Sequence, residues 1–166
     1  MEPNAPTLGS MLDDAIARLE HAGVPGARRE AEALLARALG TDRGGVVARR
    51  PDPAPPEAAE AFEDLLRRRE CREPFQYLTG EQEFFGLPFL VDSRVLVPRP
   101  ETEGVVEAAL ALPLPAGGRV ADLGTGSGCI AIALAVSRPD LGILAVDASA
   151  GALEIAGENA ARLGAA

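Results

Sequence analysis

Residues 120–147 read "VADLGTGSGCIAIALAVSRPDLGILAVD", and this stretch constrains the fold more than any other in the chain. A short apolar run meets glycines at alternate positions, Gly124, Gly126 and Gly128. A helix-length run of small and apolar residues follows, then a second apolar run that stops at Asp147. Strand, tight turn, helix and strand in this order need a crossover connection, which makes the two strands parallel and the unit a right-handed βαβ. "RVADLG" reads as a short buried strand and "LGILAVD" as the next. "SAGALEIAGENAARLG" then adds a second helix, with Ser149 as its N-cap and Gly164 as its C-terminal stop.

The first seventy or so residues have a different character. In "TLGSMLDDAIARLEHAG", Leu8, Met11, Leu12, Ala15 and Leu19 recur at helical spacing, with Thr7 to cap the start and Gly23 to end it. "ARREAEALLARALG" repeats the pattern and stops at Gly40. A third helix follows Pro55 and Pro56, turns Phe62, Leu65 and Leu66 inward, and ends before Pro74. These amphipathic helices form a small bundle with no evident chemistry. From Glu73 the composition changes: "EPFQYLTGEQEFFGLPFLVDSRVLVPRPETE" holds the only tyrosine and four of the five phenylalanines. Phe84, Phe85, Phe89, Val91, Val95 and Val97 lie in two β-prone runs around turn residues Gly86-Leu87-Pro88 and Asp92-Ser93, which predicts strands or a hairpin. "PRPETEGVVEAAL" starts another helix at Pro100, with Glu101 and Glu103 at its positive end.

Charge and composition exclude several classes. A net charge of −9 argues against binding to phosphate backbones. The Arg67-Arg68-Arg69 run with Arg72 reads as a solvated helix face. Cys71 and Cys129 are too few for a disulfide framework and too isolated for a metal site, and His21 lacks catalytic neighbours in sequence. No stretch approaches the roughly 20 apolar residues of a membrane span. "MEPNAPTLGS" lacks a basic-then-apolar leader, so the expectation is a cytoplasmic protein.

Three ligands compete for the glycine turn. A phosphate-binding loop needs a lysine, and all 16 basic residues are arginine, so that ligand is excluded. The dinucleotide fingerprint needs a glycine three residues after the second, where this chain has Cys129; the third glycine falls at Gly128 instead. Alternate glycines clear the turn of side chains, so a nucleoside with an amino-acid tail can lie along the backbone. Asp122, just before the turn, suits a cationic tail, and Asp147 suits two ribose hydroxyls. The combination points to S-adenosylmethionine. The competing structural account is that the glycines only permit close packing between helix and strand.

The blocks "EPFQYLTG", "FFGLPF" and "PRPETE", followed by "VADLGTGSGCIAIALA", closely resemble the HemK family, the peptide chain release factor N5-glutamine methyltransferases. The resemblance covers the whole chain. It implies an α/β protein with a helical substrate-recognition domain at 1–74, a β-hairpin connector at 75–97, and at 98–166 the first βαβα of a Rossmann-like methyltransferase domain. It implies that Asp122, Gly124, Thr125, Gly126, Ser127, Gly128, Asp147 and Thr102 face the cofactor, with Arg99 and Glu101 on the substrate side. The implied reaction moves a methyl group to the glutamine amide nitrogen in the Gly-Gly-Gln loop of a release factor, with no direct binding of nucleic acid and no membrane association.

The family's Asn-Pro-Pro-Tyr motif, thought to orient the amide nitrogen, does not occur in these residues, so no catalytic residue is assigned. The expectation is therefore the N-terminal portion of such an enzyme. Two parallel strands would leave an unpaired edge and uncovered apolar faces. The C-terminal third would then be loosely folded alone, and these residues would transfer little or no methyl group by themselves. Two other classes share parts of the pattern: an adenine-N6 methyltransferase of nucleic acid, and a non-catalytic module that only docks a release factor.

Overall fold

A computed structural model describes residues 6–165; residues 1–5, which open the stretch read above as free of a leader, and Ala166 lie outside the described residues. Chain contacts divide the molecule into two units, one ending at Thr79 and one starting at Gly80. Among the described residues, no helix is long and apolar enough to cross a membrane.

The first unit is helical: α1 (Leu8–His21), α2 (Ala27–Leu39), α3 (Arg43–Ala48), α4 (Pro56–Glu70) and α5 (Phe75–Thr79). Thr7 caps α1 by accepting a hydrogen bond from the Ser10 N–H at 3.1 Å, and Gly40 ends α2 in the left-handed conformation. Leu8, Leu12, Leu19, Leu34, Leu35 and Phe62 form its buried centre. Two short helices lie outside the sequence expectation. In α3, Asp42 accepts from the Gly45 N–H at 2.7 Å and Val46 is buried, which offsets two poor helix formers. In α5, packing against α2 and α4 with Leu78 buried overrides the β character of "FQYLT".

The arginine run is only partly a solvated face. Arg67 and Arg68 pair with Asp64 and Glu73 at the surface. Arg69 instead ties α4 to α2 through Glu30, at 2.6 and 3.3 Å, with side chains only 12% and 17% exposed. Arg18 of α1 forks onto Glu63 and Glu70 of α4; those hydrogen bonds raise the guanidinium further above its ordinary value and hold Glu70 below the usual carboxylate range. Arg69→Ala is expected to destabilise this unit by about 3 kcal/mol, because it strands a half-buried Glu30. Arg67→Ala is expected to change stability by less than about 0.5 kcal/mol. Urea unfolding of both variants checks the contrast.

The second unit begins with a hairpin of β1 (Glu81–Phe84) and β2 (Leu87–Leu90), antiparallel with Phe84 opposite Leu87. Phe85 and Gly86 make the turn at φ 53° and 73°, the geometry that matches strand twist in two-residue hairpin loops. Phenylalanine is unusual there. Its N–H is held by the Glu103 carboxylate at 2.8 Å. The second β-prone run does not become a strand. Val91, Val95 and Val97 are buried, yet Asp92 draws the Arg94 N–H into a turn at 2.9 Å, and Pro98 and Pro100 offer no N–H to a ladder.

After a 3₁₀ turn (Pro100–Thr102) and α6 (Glu103–Leu110), the chain forms β3 (Arg119–Leu123), α7 (Cys129–Ser137), β4 (Gly142–Val146) and α8 (Ala150–Leu163). The β3 and β4 strands are parallel, with Arg119 opposite Gly142 and Leu123 opposite Val146. Val120 and Ile143 pack into the core shared with α7, α8 and the hairpin phenylalanines. One apolar face of the strands is open, as expected of two parallel strands alone, so "RVADLG" and "LGILAVD" are less buried than their composition suggests. Leu123, Leu144 and Val146 are 78%, 53% and 37% exposed, because no element among the described residues covers their face of the sheet.

Candidate functional site

The glycine turn joins β3 to α7 at the C-terminal end of the parallel strands, where open α/β sheets place their ligands. The N–H groups of Gly124 and Thr125 both donate to the Val146 carbonyl, at 2.8 and 3.0 Å, so the turn is fastened to the end of β4. That fastening brings Asp147 to it. One Asp147 oxygen accepts from the Gly126 N–H at 2.9 Å and the other from the Ser149 N–H at 2.9 Å. These backbone donors hold its carboxyl below the usual carboxylate range, so it carries its charge throughout the neutral range. A carboxylate has about four acceptor positions; these two hydrogen bonds take two of them, and the Ala148 N–H also favours the charged form.

The glycines divide by role. Their φ values are 80°, 55° and 81° for Gly124, Gly126 and Gly128. At Gly124 and Gly126 an added Cβ would meet nothing within 4 Å. At Gly128 it would lie 2.8 Å from Ile132 Cδ1 and 3.2 Å from Ala156 Cβ. The first two glycines therefore border open space, while the third lets α8 approach the turn. A groove of about 250 Å³ on that packed side is lined by Gly128, Ala131, Ile132, Ile143 and Ala156 among others, and no polar side chain lines it to orient a charged ligand.

Asp122 faces the helix. Its Oδ2 accepts from the Thr125 hydroxyl at 2.7 Å and from the Ala131 N–H at 3.3 Å, supplying α7 with the cap that Gly128 cannot. Its Oδ1 makes no hydrogen bond to the described residues. Thr125 and Ser127 are buried, and the Ser127 Oγ has no hydrogen-bond partner among the described residues. Burial pushes the Cys129 thiol up, which fits a packed rather than reactive cysteine. No group of three or more His, Cys, Asp or Glu among the described residues could hold a metal ion.

The "PRPETE" residues lie at the start of α6. Thr102 is half-buried and its N–H donates to the Arg99 carbonyl at 2.9 Å. Arg99 and Glu101 are exposed, with no side-chain hydrogen bond or ion pair to the described residues. No hydrogen bond joins these three to the glycine turn or Asp147.

One residue at the turn was not singled out from the sequence. Asn159 of α8 is fully buried and donates to the Ser127 carbonyl at 2.9 Å. Its signal was present: with Ala152, Ile155 and Ala156 it falls on the buried stripe of α8, where a polar residue needs a partner.

Comparison with known proteins fits this division of the chain. Residues 10–80 match the model described as the PrmC N-terminal domain, and residues 107–166 match the methyltransferase small domain. A release factor glutamine methyltransferase of Cereibacter sphaeroides is 48% identical over 155 residues, covering 93% of this chain and 55% of the relative. Its counterpart from Geobacter sulfurreducens is 44% identical over 164 residues, covering 99% of this chain and 57% of the relative. The one from Mycolicibacterium smegmatis is 44% identical over 154 residues, with 93% and 54% covered. The chain thus spans about half the length of the curated relatives it matches. Both family models match in chain order, and along nearly its whole length the chain is similar to release factor glutamine methyltransferases.

Proposed function

We propose that the glycine turn holds S-adenosylmethionine and that these residues supply the methyl-donor half of an enzyme acting on the glutamine amide in the Gly-Gly-Gln loop of peptide chain release factors. The observation that carries the reading is the open space at Gly124 and Gly126 beside Asp147, a carboxylate that backbone donors keep charged. Gly124 and Gly126 offer the adenosyl group a backbone without obstructing side chains, in a turn that Thr125, Ser127 and Gly128 complete. Asp147 accepts both ribose hydroxyls, and the free Oδ1 of Asp122 faces the ammonium of the amino-acid tail. Thr102 contributes at the methionine end, with Arg99 and Glu101 at the substrate entry.

When bound, the cofactor provides a methyl group made electrophilic by its sulfonium. The protein's task is orientation, since an amide nitrogen has its lone pair delocalised into the carbonyl and reacts only when well placed. The helical domain at 1–74 recognises the release factor, the segment 75–97 connects it, and residues 98–166 hold the cofactor. The site of action is the cytoplasm, where release factors work, without direct contact to nucleic acid.

A chimaera tests this reading. Residues 1–166 are joined to the part of the Geobacter sulfurreducens relative that the match leaves uncovered, and incubated with a release factor and methyl-labelled S-adenosylmethionine. The expected result is label on the Gly-Gly-Gln glutamine. A folded chimaera that labels adenine, or nothing, would contradict the proposal.

A further inference from the structure

Asn159 does more than satisfy itself. Its Oδ1 accepts from the Leu90 N–H at 2.7 Å, while Nδ2 donates to the Leu90 carbonyl at 3.0 Å and to the Ser127 carbonyl at 2.9 Å. Leu90 ends β2, where β1 pairs only through Glu81, and its N–H and C=O both turn to the amide of a helix remote in sequence. Ser127 lies between Gly126, whose N–H the Asp147 carboxylate accepts, and Gly128, against which α8 packs. A single buried amide thus bonds the hairpin with two of its atoms and the glycine turn with a third contact. An asparagine side chain is one of few that can do this, because it needs one acceptor and two donors in one plane. Deleting it leaves a buried N–H and two carbonyls without a partner.

We infer that Asn159 is a positioning residue that locks the glycine turn to the hairpin, so that the turn holds its ligand-binding shape only while β2 is seated. The dependence follows from geometry. The Ser127 carbonyl belongs to the same peptide unit as the Gly128 N–H, which donates to the Thr125 carbonyl at 2.8 Å and closes the turn. Rotation of that peptide would loosen the turn at the residue beside Gly126. The Glu103 carboxylate holds the other end of the hairpin at Phe85, so β2 is fixed at both ends relative to α6 and α8. An aromatic hairpin held this way transmits to the cofactor turn whatever shifts its position. The inference rests on the cofactor reading proposed above, and deepens it.

The test compares Asn159→Ala with Ile155→Ala in the full 166-residue chain. Ile155 is a buried residue of the same helix, so its truncation loosens α8 without removing the lock. In ligand-free protein, amide NMR is expected to show shifts at Gly126, Ser127 and Gly128 in Asn159→Ala that are absent from Ile155→Ala. Affinity for S-adenosylhomocysteine is expected to fall about tenfold in Asn159→Ala and less than twofold in Ile155→Ala. If Asn159→Ala does not fold, Asn159→Ser, whose short hydroxyl cannot span both partners, replaces it with the same expectation. Unchanged turn amides, or equal losses of affinity in both variants, would overturn the inference. If wild-type protein binds no adenosyl ligand, the proposed function fails, and the ligand-free spectra alone decide the lock.

Discussion

Replacing Gly128 with alanine is expected to destabilise the second unit by about 2–5 kcal/mol, against about 1–2 kcal/mol for the same change at Gly124. Both glycines sit at nearly the same φ, 81° and 80°, so both variants share the cost of a side chain in the left-handed region. The difference is packing. A methyl group at 124 meets nothing within 4 Å, whereas at 128 it lies 2.8 Å from Ile132 Cδ1, 3.2 Å from Ala156 Cβ and 3.4 Å from Ala156 Cα. The isoleucine end can rotate away, but Ala156 belongs to the body of α8 and can yield only if the helix moves. Urea unfolding of the two variants, followed by circular dichroism, measures the gap. Equal costs would show that α8 does not press on the turn. Affinity should rank the opposite way among variants that remain folded, since a methyl at Gly124 or Gly126 enters the space assigned to the ligand.

Asp147→Asn is expected to weaken binding of S-adenosylmethionine by roughly a hundredfold, the loss from replacing the charge-assisted hydrogen bonds proposed to both ribose hydroxyls. The substitution also disturbs the turn. Two backbone N–H groups point at the carboxylate, and an asparagine amide can accept from only one oxygen while its NH₂ opposes the other donor. The pH dependence has a defined sign. The folded carboxyl titrates below its unfolded value, so its contribution is present above the unfolded pKa and lost as pH falls through the folded one. Wild-type affinity should likewise hold from neutral into mildly acidic pH and decline only as pH falls through that lowered folded value. Equilibrium dialysis across that range tests it. A midpoint near neutrality would mean that another group controls binding.

The elements with strong local signals were legible in the sequence. Thr7, Gly40, Ser149 and Gly164 stand at helix ends because capping depends on the side chain or φ of a single residue. The hairpin was legible too, but not its turn, which falls on Phe85 and Gly86 because Glu103, distant in sequence, holds the Phe85 N–H. Val95 and Val97 looked like strand and became buried loop, since the adjacent prolines and the Asp92 turn outweigh β propensity. At the site, the acids on either side of the turn could be picked out, but not their immediate partners. That Asp122 serves α7, that Gly128 serves α8 and that Asn159 joins three segments are facts of tertiary contact, which spacing along the chain does not contain.

Calorimetric titration of the 166-residue chain decides whether these residues hold an adenosyl ligand at the glycine turn, as proposed. Titrations with S-adenosylmethionine, NAD and ATP are run on wild-type protein and on Asp147→Asn. The expected result is saturable one-to-one uptake of S-adenosylmethionine by the wild type, much weaker uptake by the variant, and none of the other two ligands by either. Folded protein that takes up NAD instead, or that binds S-adenosylmethionine equally well without the Asp147 carboxylate, would contradict it.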